Sequence, residues 1–250
     1  MTPEFTGGGE PRISLQLLWK RRERPARGPK PGLTVDAIVR AAIAIADAEG
    51  LEAVSMRRVA QELGAGTMSL YRHVPGKAEL LELMLDAVIG EEPAPDPLPE
   101  GWRARLELFA RDQLAGYRRH PWMLGVSMVR PPLGPNIIGG TEMMLAAVEE
   151  TGLPPRERLA AVSLVTSYVL GAAQPLVQAA QAEAASGEST EDWWRRRTIF
   201  WEEFFVPDDH PAITRLWEEG GFAGEQDALF EWGLQRVLDG IQARIDAMAG

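Results

Sequence analysis

The 250-residue sequence contains no cysteine. That excludes disulfides, thiolate nucleophiles and cysteine-bound zinc. Only three histidines occur, His73, His120 and His210, and their surroundings show no spacing of metal ligands. The Gly-x-Ser-x-Gly elbow of serine hydrolases is missing, since residues 125–129 read GVSMV. The GGG at 7–9 precedes neither a strand nor a phosphate-binding motif. These absences leave no candidate catalytic residue, metal or cofactor, and no enzyme is expected. No continuous run approaches the roughly 18 apolar residues of a membrane span. No basic-then-apolar leader opens the chain. A cytoplasmic protein with no membrane partner is the expectation. Hydrophobic residues make up 45 %, enough for a sizeable core.

Lysine is scarce, and its placement is informative. All three lysines (Lys20, Lys30, Lys77) lie in residues 1–77, where 12 Lys or Arg face 8 Asp or Glu. In residues 78–250, 14 Arg face 28 Asp or Glu, so the net charge of −10 belongs to the C-terminal part. A small nucleic-acid-binding module fused to an acidic body would show this asymmetry. A solvated acidic surface with a basic tail would show it too.

Convincing period-2 alternation is also absent, so no sheet is expected. Residues 1–32 are rich in Gly, Pro and Arg and read as a flexible basic arm. Thr34 then caps a helix whose apolar residues recur every three or four positions, and Gly50 stops it. Ser55 begins a second helix that Gly64 ends. A third starts near Thr67 and stops before Pro75-Gly76, and a fourth runs from Lys77 to about Glu91. The Pro-rich "EEPAPDPLPEG" (91–101) divides the chain. Helices are expected beyond it at 102–119, after Pro121, at 136–150, 155–184, within "TEDWWRRRTIFWEEFF", around 211–218 and at 226–248.

The stretch "SMRRVAQELGAGTMSLYRHVPGKAELL" (55–81) is two short helices joined by a tight glycine turn, a helix-turn-helix pattern. On a helical wheel Leu70 and Val74 fall together and must face inward. Met68 and Arg72 point outward with Ser69 beside them. Thr67 and Tyr71 flank one edge and His73 the other. Such a face suits a major groove, because hydroxyls bond base edges and Met contacts a thymine methyl. Tyr71, His73 and Lys77 sit where phosphates would flank it. Arg57 would reach a guanine edge with its forked guanidinium.

Residues 38–84 resemble the DNA-binding domain of the tetracycline-repressor (TetR) family of bacterial transcription regulators. The resemblance rests on Glu49-Gly50, Ser55-Met56-Arg57, "VAQELG" and above all "LYRHVPGKAELL". By position it implies that Thr67, Met68 and Ser69 face bases and that Arg57 contacts a guanine. Ser55, Tyr71, His73 and Lys77 would hold phosphates. Arg72 stands where the tetracycline repressor has a Trp, which leaves it a base or a phosphate to reach.

The C-terminal part resembles the family's ligand domain through "YRRHPWM", "RPPLGPN" and "SYVLGA". The resemblance implies an all-α chain. After an arm at 1–32, a three-helix DNA-binding domain with its connecting helix occupies 33–91, and a larger effector-binding and dimerisation domain occupies 100–250. Phe109, Gln113, Asn136, Met143, Val162 and Thr166 would point into the effector pocket. None of the three histidines falls where the tetracycline repressor uses histidines to grip its drug–magnesium chelate, so neither ligand transfers. The last helix carries Phe230, Leu234, Val237, Leu238, Ile241 and Ile245 at helical spacing. That stripe needs partners: one is helix 155–184, the other the same pair of helices in a second copy, together a four-helix bundle. The expected function is a repressor, bound as a homodimer to a palindromic double-stranded DNA operator and released by a small, largely apolar effector. The alternative is a ligand-binding or protein-interacting helical dimer whose helix-turn-helix is only structural.

Overall fold

A computed structural model of the chain describes residues 4–20, 33–222 and 226–249. The described residues are overwhelmingly helical. They divide into two compact units, 1–166 and 167–250, and the division falls inside one long helix.

Unit 1 is built around α5 (Lys77–Ile89). Leu80, Leu81, Leu83, Met84, Leu85 and Val88 are buried on it, so no side of the helix is left to solvent along most of its length. Packed on it are α1 (Pro11–Lys20), α2 (Val35–Glu49), α6 (Trp102–Arg119) and α7 (Pro135–Glu149). Helices α3 (Met56–Glu62) and α4 (Thr67–Tyr71) pack on each other, and α3 also packs on α2. Three carboxylates, Glu79, Glu82 and Asp86, are buried on α5. Each accepts backbone N–H groups from another segment, which is how a buried carboxylate is tolerated. Glu79 Oε1 accepts from Glu10 N at 3.3 Å and Glu82 Oε1 from Gly7 N at 3.0 Å. Asp86 Oδ1 accepts from Asn136 N and Ile137 N at 3.0 and 3.1 Å, so it caps the first turn of α7. In return Asn136 Nδ2 donates to Asp86 O at 2.8 Å. A Cβ on Gly134 would come within 2.2 Å of Asp86 Oδ1, so only glycine permits this approach.

The N-terminal segment corrects the sequence expectation. Residues 4–20 are not a flexible arm. Glu4–Phe5 (β1) pairs in parallel with Val126–Ser127 (β2), a two-residue ladder in a chain where no sheet is expected. Pro11 opens α1, and Glu10 accepts N–H bonds from Arg12 and Ile13. Leu18 is fully buried in the α5 core. The reason is tertiary: ten residues with one apolar stripe do not hold a helix alone, and packing on α5 supplies what the local pattern lacks. The remainder of the expected arm, 21–32, lies outside the described residues.

The long helix α8 (Pro155–Ser186) spans the division between the units. An 18-residue window of it has a mean hydropathy of 1.5, enough by length and composition to cross a membrane, although no continuous apolar run is present. Its buried residues Val162, Val165, Val169, Ala173 and Val177 recur every three or four positions, the pattern of a helix covered on one side.

Unit 2 continues with α9 (Thr190–Arg196), a π turn at Phe200–Phe204, α10 (Pro211–Glu218) and α11 (Gln226–Ala249). The apolar stripe of α11 finds its partner within the chain. Phe230, Leu234, Leu238 and Ile241 are buried, and Val237 and Ile245 are half-buried. Phe230 stacks on Tyr168 at 5.6 Å, and the Tyr168 hydroxyl donates to Phe230 O at 2.7 Å. Burial holds the Tyr168 pKa above its ordinary value. Other apolar groups stay in water: Leu170, Leu229 and Trp232, and the aromatic run with Trp193, Trp194, Phe200 and Phe204.

Asp86→Ala removes the cap of α7 and strands two partly buried N–H groups. The expected loss is about 1–3 kcal/mol of unfolding free energy, read as a lower midpoint in urea at unchanged slope.

Candidate nucleic-acid and effector sites

The helix-turn-helix is set by local chemistry. Ser55 Oγ accepts from Arg58 N at 3.1 Å and starts α3. The end of α3 is a Schellman turn: Gly64 has φ +60°, Gly64 N donates to Gln61 O and Ala65 N to Ala60 O. α4 is shorter than the expected 67–74. Pro75 keeps Val74 out of the helical region, and residues 72–74 close as a turn, with His73 N and Val74 N both donating to Leu70 O. The inward side agrees with the wheel, since Leu70 and Val74 are fully buried.

On the outward side Met68 is 76 % exposed and Tyr71 42 %. Arg72 is exposed, and its Nη2 donates to Ser69 Oγ at 3.0 Å. Thr67, Ser69 and His73 are half-buried along the same turn. The two arginines that open α3 differ. Arg58 is tied to Glu49 of α2 and Glu62 of α3 at 2.7 and 2.8 Å, and these bonds raise its pKa further. Arg57 is exposed and has no ion-pair partner among the described residues. Its guanidinium is therefore available. Lys77 opens α5, and its Nζ lies 2.6 Å from Glu4 Oε1.

The residues expected at the effector are spread over three helices of unit 1. Phe109 and Gln113 lie one turn apart on α6, which packs on α7, where Met143 is half-buried. Gln113 Oε1 is shielded from solvent and has no hydrogen-bond partner among the described residues. On α8 Val162 is buried, and the half-buried Thr166 donates its hydroxyl to Val162 O at 3.0 Å. Asn136, at the start of α7, makes a further connection. Its amide and backbone bond Asp86, so it fastens α7 to α5.

Sequence reasoning missed a second fastening. His120, at the end of α6, is buried with Nδ1 2.8 Å from Asp47 Oδ1 of α2 and Nε2 2.9 Å from Glu91 Oε2 just beyond α5. Trp122 Nε1 donates to the same Asp47 oxygen at 2.8 Å. Helix α6 is thus bonded directly to the first helix of the DNA-binding motif. The visible signal is "RHPW", a polar residue held between Pro121 and a basic pair. For the α5 carboxylates the signal is their spacing, 79, 82 and 86, on one face of an otherwise apolar helix.

Because Ser55 caps α3, Ser55→Ala costs about 1 kcal/mol of stability. Chemical denaturation in the absence of DNA measures this directly, separately from any effect on DNA binding.

Similarity to known proteins agrees with this geometry. Residues 38–84 match the family described as "Bacterial regulatory proteins, tetR family", and residues 94–245 match "Tetracyclin repressor-like, C-terminal domain". The chain is 46 % identical over 248 residues to the HTH-type transcriptional repressor DrrR1 of Streptomyces coeruleorubidus, covering 99 % of this chain and 91 % of that protein. Apo ActR from Streptomyces coelicolor superposes with a TM-score of 0.72 at 29 % identity, over 88 % of this chain and 100 % of ActR. ActR in complex with actinorhodin gives 0.71 at 30 % identity, over 86 % and 97 %. The two family matches adjoin across the Pro-rich segment and together account for both the helix-turn-helix and the helical body: the chain belongs to the TetR family of bacterial transcription regulators.

Proposed function

We propose that the chain is a cytoplasmic repressor, without catalytic activity of its own, that binds a palindromic double-stranded DNA operator as a homodimer. The observation that carries this reading is the outward face of 55–77. Arg57 is unpaired beside a tethered Arg58, and Met68, Tyr71 and Arg72 stand exposed above a buried Leu70 and Val74. Residues 33–91 form the DNA-binding part. Thr67, Met68 and Ser69 face bases, Arg57 a guanine, and Ser55, Tyr71, His73 and Lys77 the phosphates. Arg72 joins either set. A helix-turn-helix that served only as structure would have no use for a free Arg57. Arg57→Ala relaxes sequence preference and costs about 1–3 kcal/mol if the contact is bidentate. Lys77→Ala weakens binding to all sequences alike and flattens the salt dependence. Fluorescence anisotropy on selected and scrambled duplexes separates the two effects.

Residues 100–250 form the effector-binding and dimerisation part. The unpartnered Gln113 Oε1 supports a small, largely apolar effector that carries a hydrogen-bond donor, held among Phe109, Gln113, Met143, Val162 and Thr166. Asn136 belongs to the same wall and, through Asp86, fastens it to α5. The complex of ActR with actinorhodin supports a small-molecule effector. Since α11's stripe is covered within the chain, the dimer rests on other groups of α8 and α11, namely Leu170, Leu229 and Trp232, which a monomer leaves in water. Light scattering is expected to report twice the chain mass of 27.5 kDa. A Leu229→Lys, Trp232→Lys variant is expected to shift it toward the single chain and to lose operator binding.

A further inference from the structure

Lys77, the residue that opens α5 and is read above as a phosphate contact, is already occupied. Its Nζ lies 2.6 Å from Glu4 Oε1, with both side chains about one-third exposed (37 % and 35 %). Glu4 does not reach this point as a loose tail. Its backbone is paired with Val126 in the β1–β2 ladder. Thr6, buried, donates its hydroxyl to Arg130 O. Gly7 N and Glu10 N donate to the buried Glu82 and Glu79 of α5. At Gly9 the strap runs so close to α5 that a Cβ would lie 2.2 Å from Glu79 Oε1. The segment 4–10 is therefore a strap fixed at one edge to α5 and at the other to the 126–130 segment that leads into α7. Fixing its backbone keeps the Glu4 carboxylate at high effective concentration beside Lys77.

We infer that this strap is an autoinhibitory latch on DNA binding, with Glu4 holding the ammonium that a DNA phosphate must take. The inference rests on the reading of Lys77 as a phosphate contact. The ammonium has three donors, but a phosphate and a carboxylate on the same Nζ would lie within a few ångströms of each other as like charges. Operator binding must therefore displace Glu4. The latch also ties DNA affinity to the body of the molecule, because the strap's second anchor is the segment entering α7. A shift of 126–130 away from α5 would pull Glu4 off Lys77, and a shift toward it would seat Glu4 more firmly.

The test is a double-mutant cycle on the full chain. Wild type, Glu4→Gln, Lys77→Ala, the double variant and Gly9→Ala are titrated against a fluorescein-labelled duplex recovered by selection from a random library with the wild-type protein. A scrambled duplex is the control, and thermal unfolding confirms that each variant is folded. Glu4→Gln is expected to bind about two- to five-fold more tightly per half-site, the range of a partly exposed ion pair. The gain is expected to shrink between about 50 and 500 mM salt as the pair is screened. Gly9→Ala, which leaves the charge unchanged but pushes the strap from α5, is expected to gain as well. In the Lys77→Ala background the Glu4→Gln gain is expected to disappear. An equal gain in that background overturns the latch, since Glu4 then acts only as bulk negative charge. Unchanged affinity of Glu4→Gln, with Lys77→Ala still weakened, also overturns it. If Lys77→Ala binds like wild type in every background, the phosphate reading of Lys77 fails first and the latch falls with it.

Discussion

Three carboxylates on one buried helix organise unit 1. Glu79, Glu82 and Asp86 lie at successive turns of α5, and each would be costly to bury without donors. The donors are main-chain N–H groups of two separate stretches, at Gly7 and Glu10 of the strap and at Asn136-Ile137. A side chain that must be satisfied fixes whichever segment satisfies it. The apolar residues of α5 supply the bulk of the packing, and bulk packing is non-directional. The carboxylates decide where the strap crosses and where α7 starts.

This arrangement bears on how the two ends of unit 1 communicate. α5 carries Lys77 at its first turn, beside the turn that follows α4, and Asp86 near its last turn, fastened to α7. The His120–Asp47 and His120–Glu91 bonds add a second fastening, from the end of α6 to α2 and to the chain just beyond α5. Helices α6 and α7 are therefore hydrogen-bonded, not merely packed, to α2 and α5, the helices that flank the helix-turn-helix. Such bonds are made or lost over tenths of an ångström, whereas apolar contacts slide.

The helix-turn-helix was legible because its determinants are local. Ser55 caps with its own hydroxyl, Gly64 takes the left-handed conformation and Pro75 stops α4, all within a few residues. The outward face of 67–72 followed from helical period alone. Arg57 and Arg58 are the same residue type and adjacent in sequence, yet among the described residues one has no ion-pair partner and the other is doubly paired. Two acidic neighbours separate them: Glu62, four residues on in the same helix, and Glu49, on another helix. The bond from Asn136 to Asp86 is likewise invisible in the local sequence, since the two lie fifty residues apart.

Sequence by itself determined the helical class, the motif at 55–77, the family and the absence of any thiol or histidine cluster for chemistry. These depend on short-range periodicity, caps and residue identity. Tertiary structure alone decided that residues 4–20 form a strand and a helix instead of an arm, that the α11 stripe is covered by its own chain, and that Glu4 meets Lys77. Each of these is a pairing across sixty or more residues. Many placements satisfy the same local pattern, and the one adopted is selected by which buried polar group and which apolar face are left needing a partner once α5 is in place.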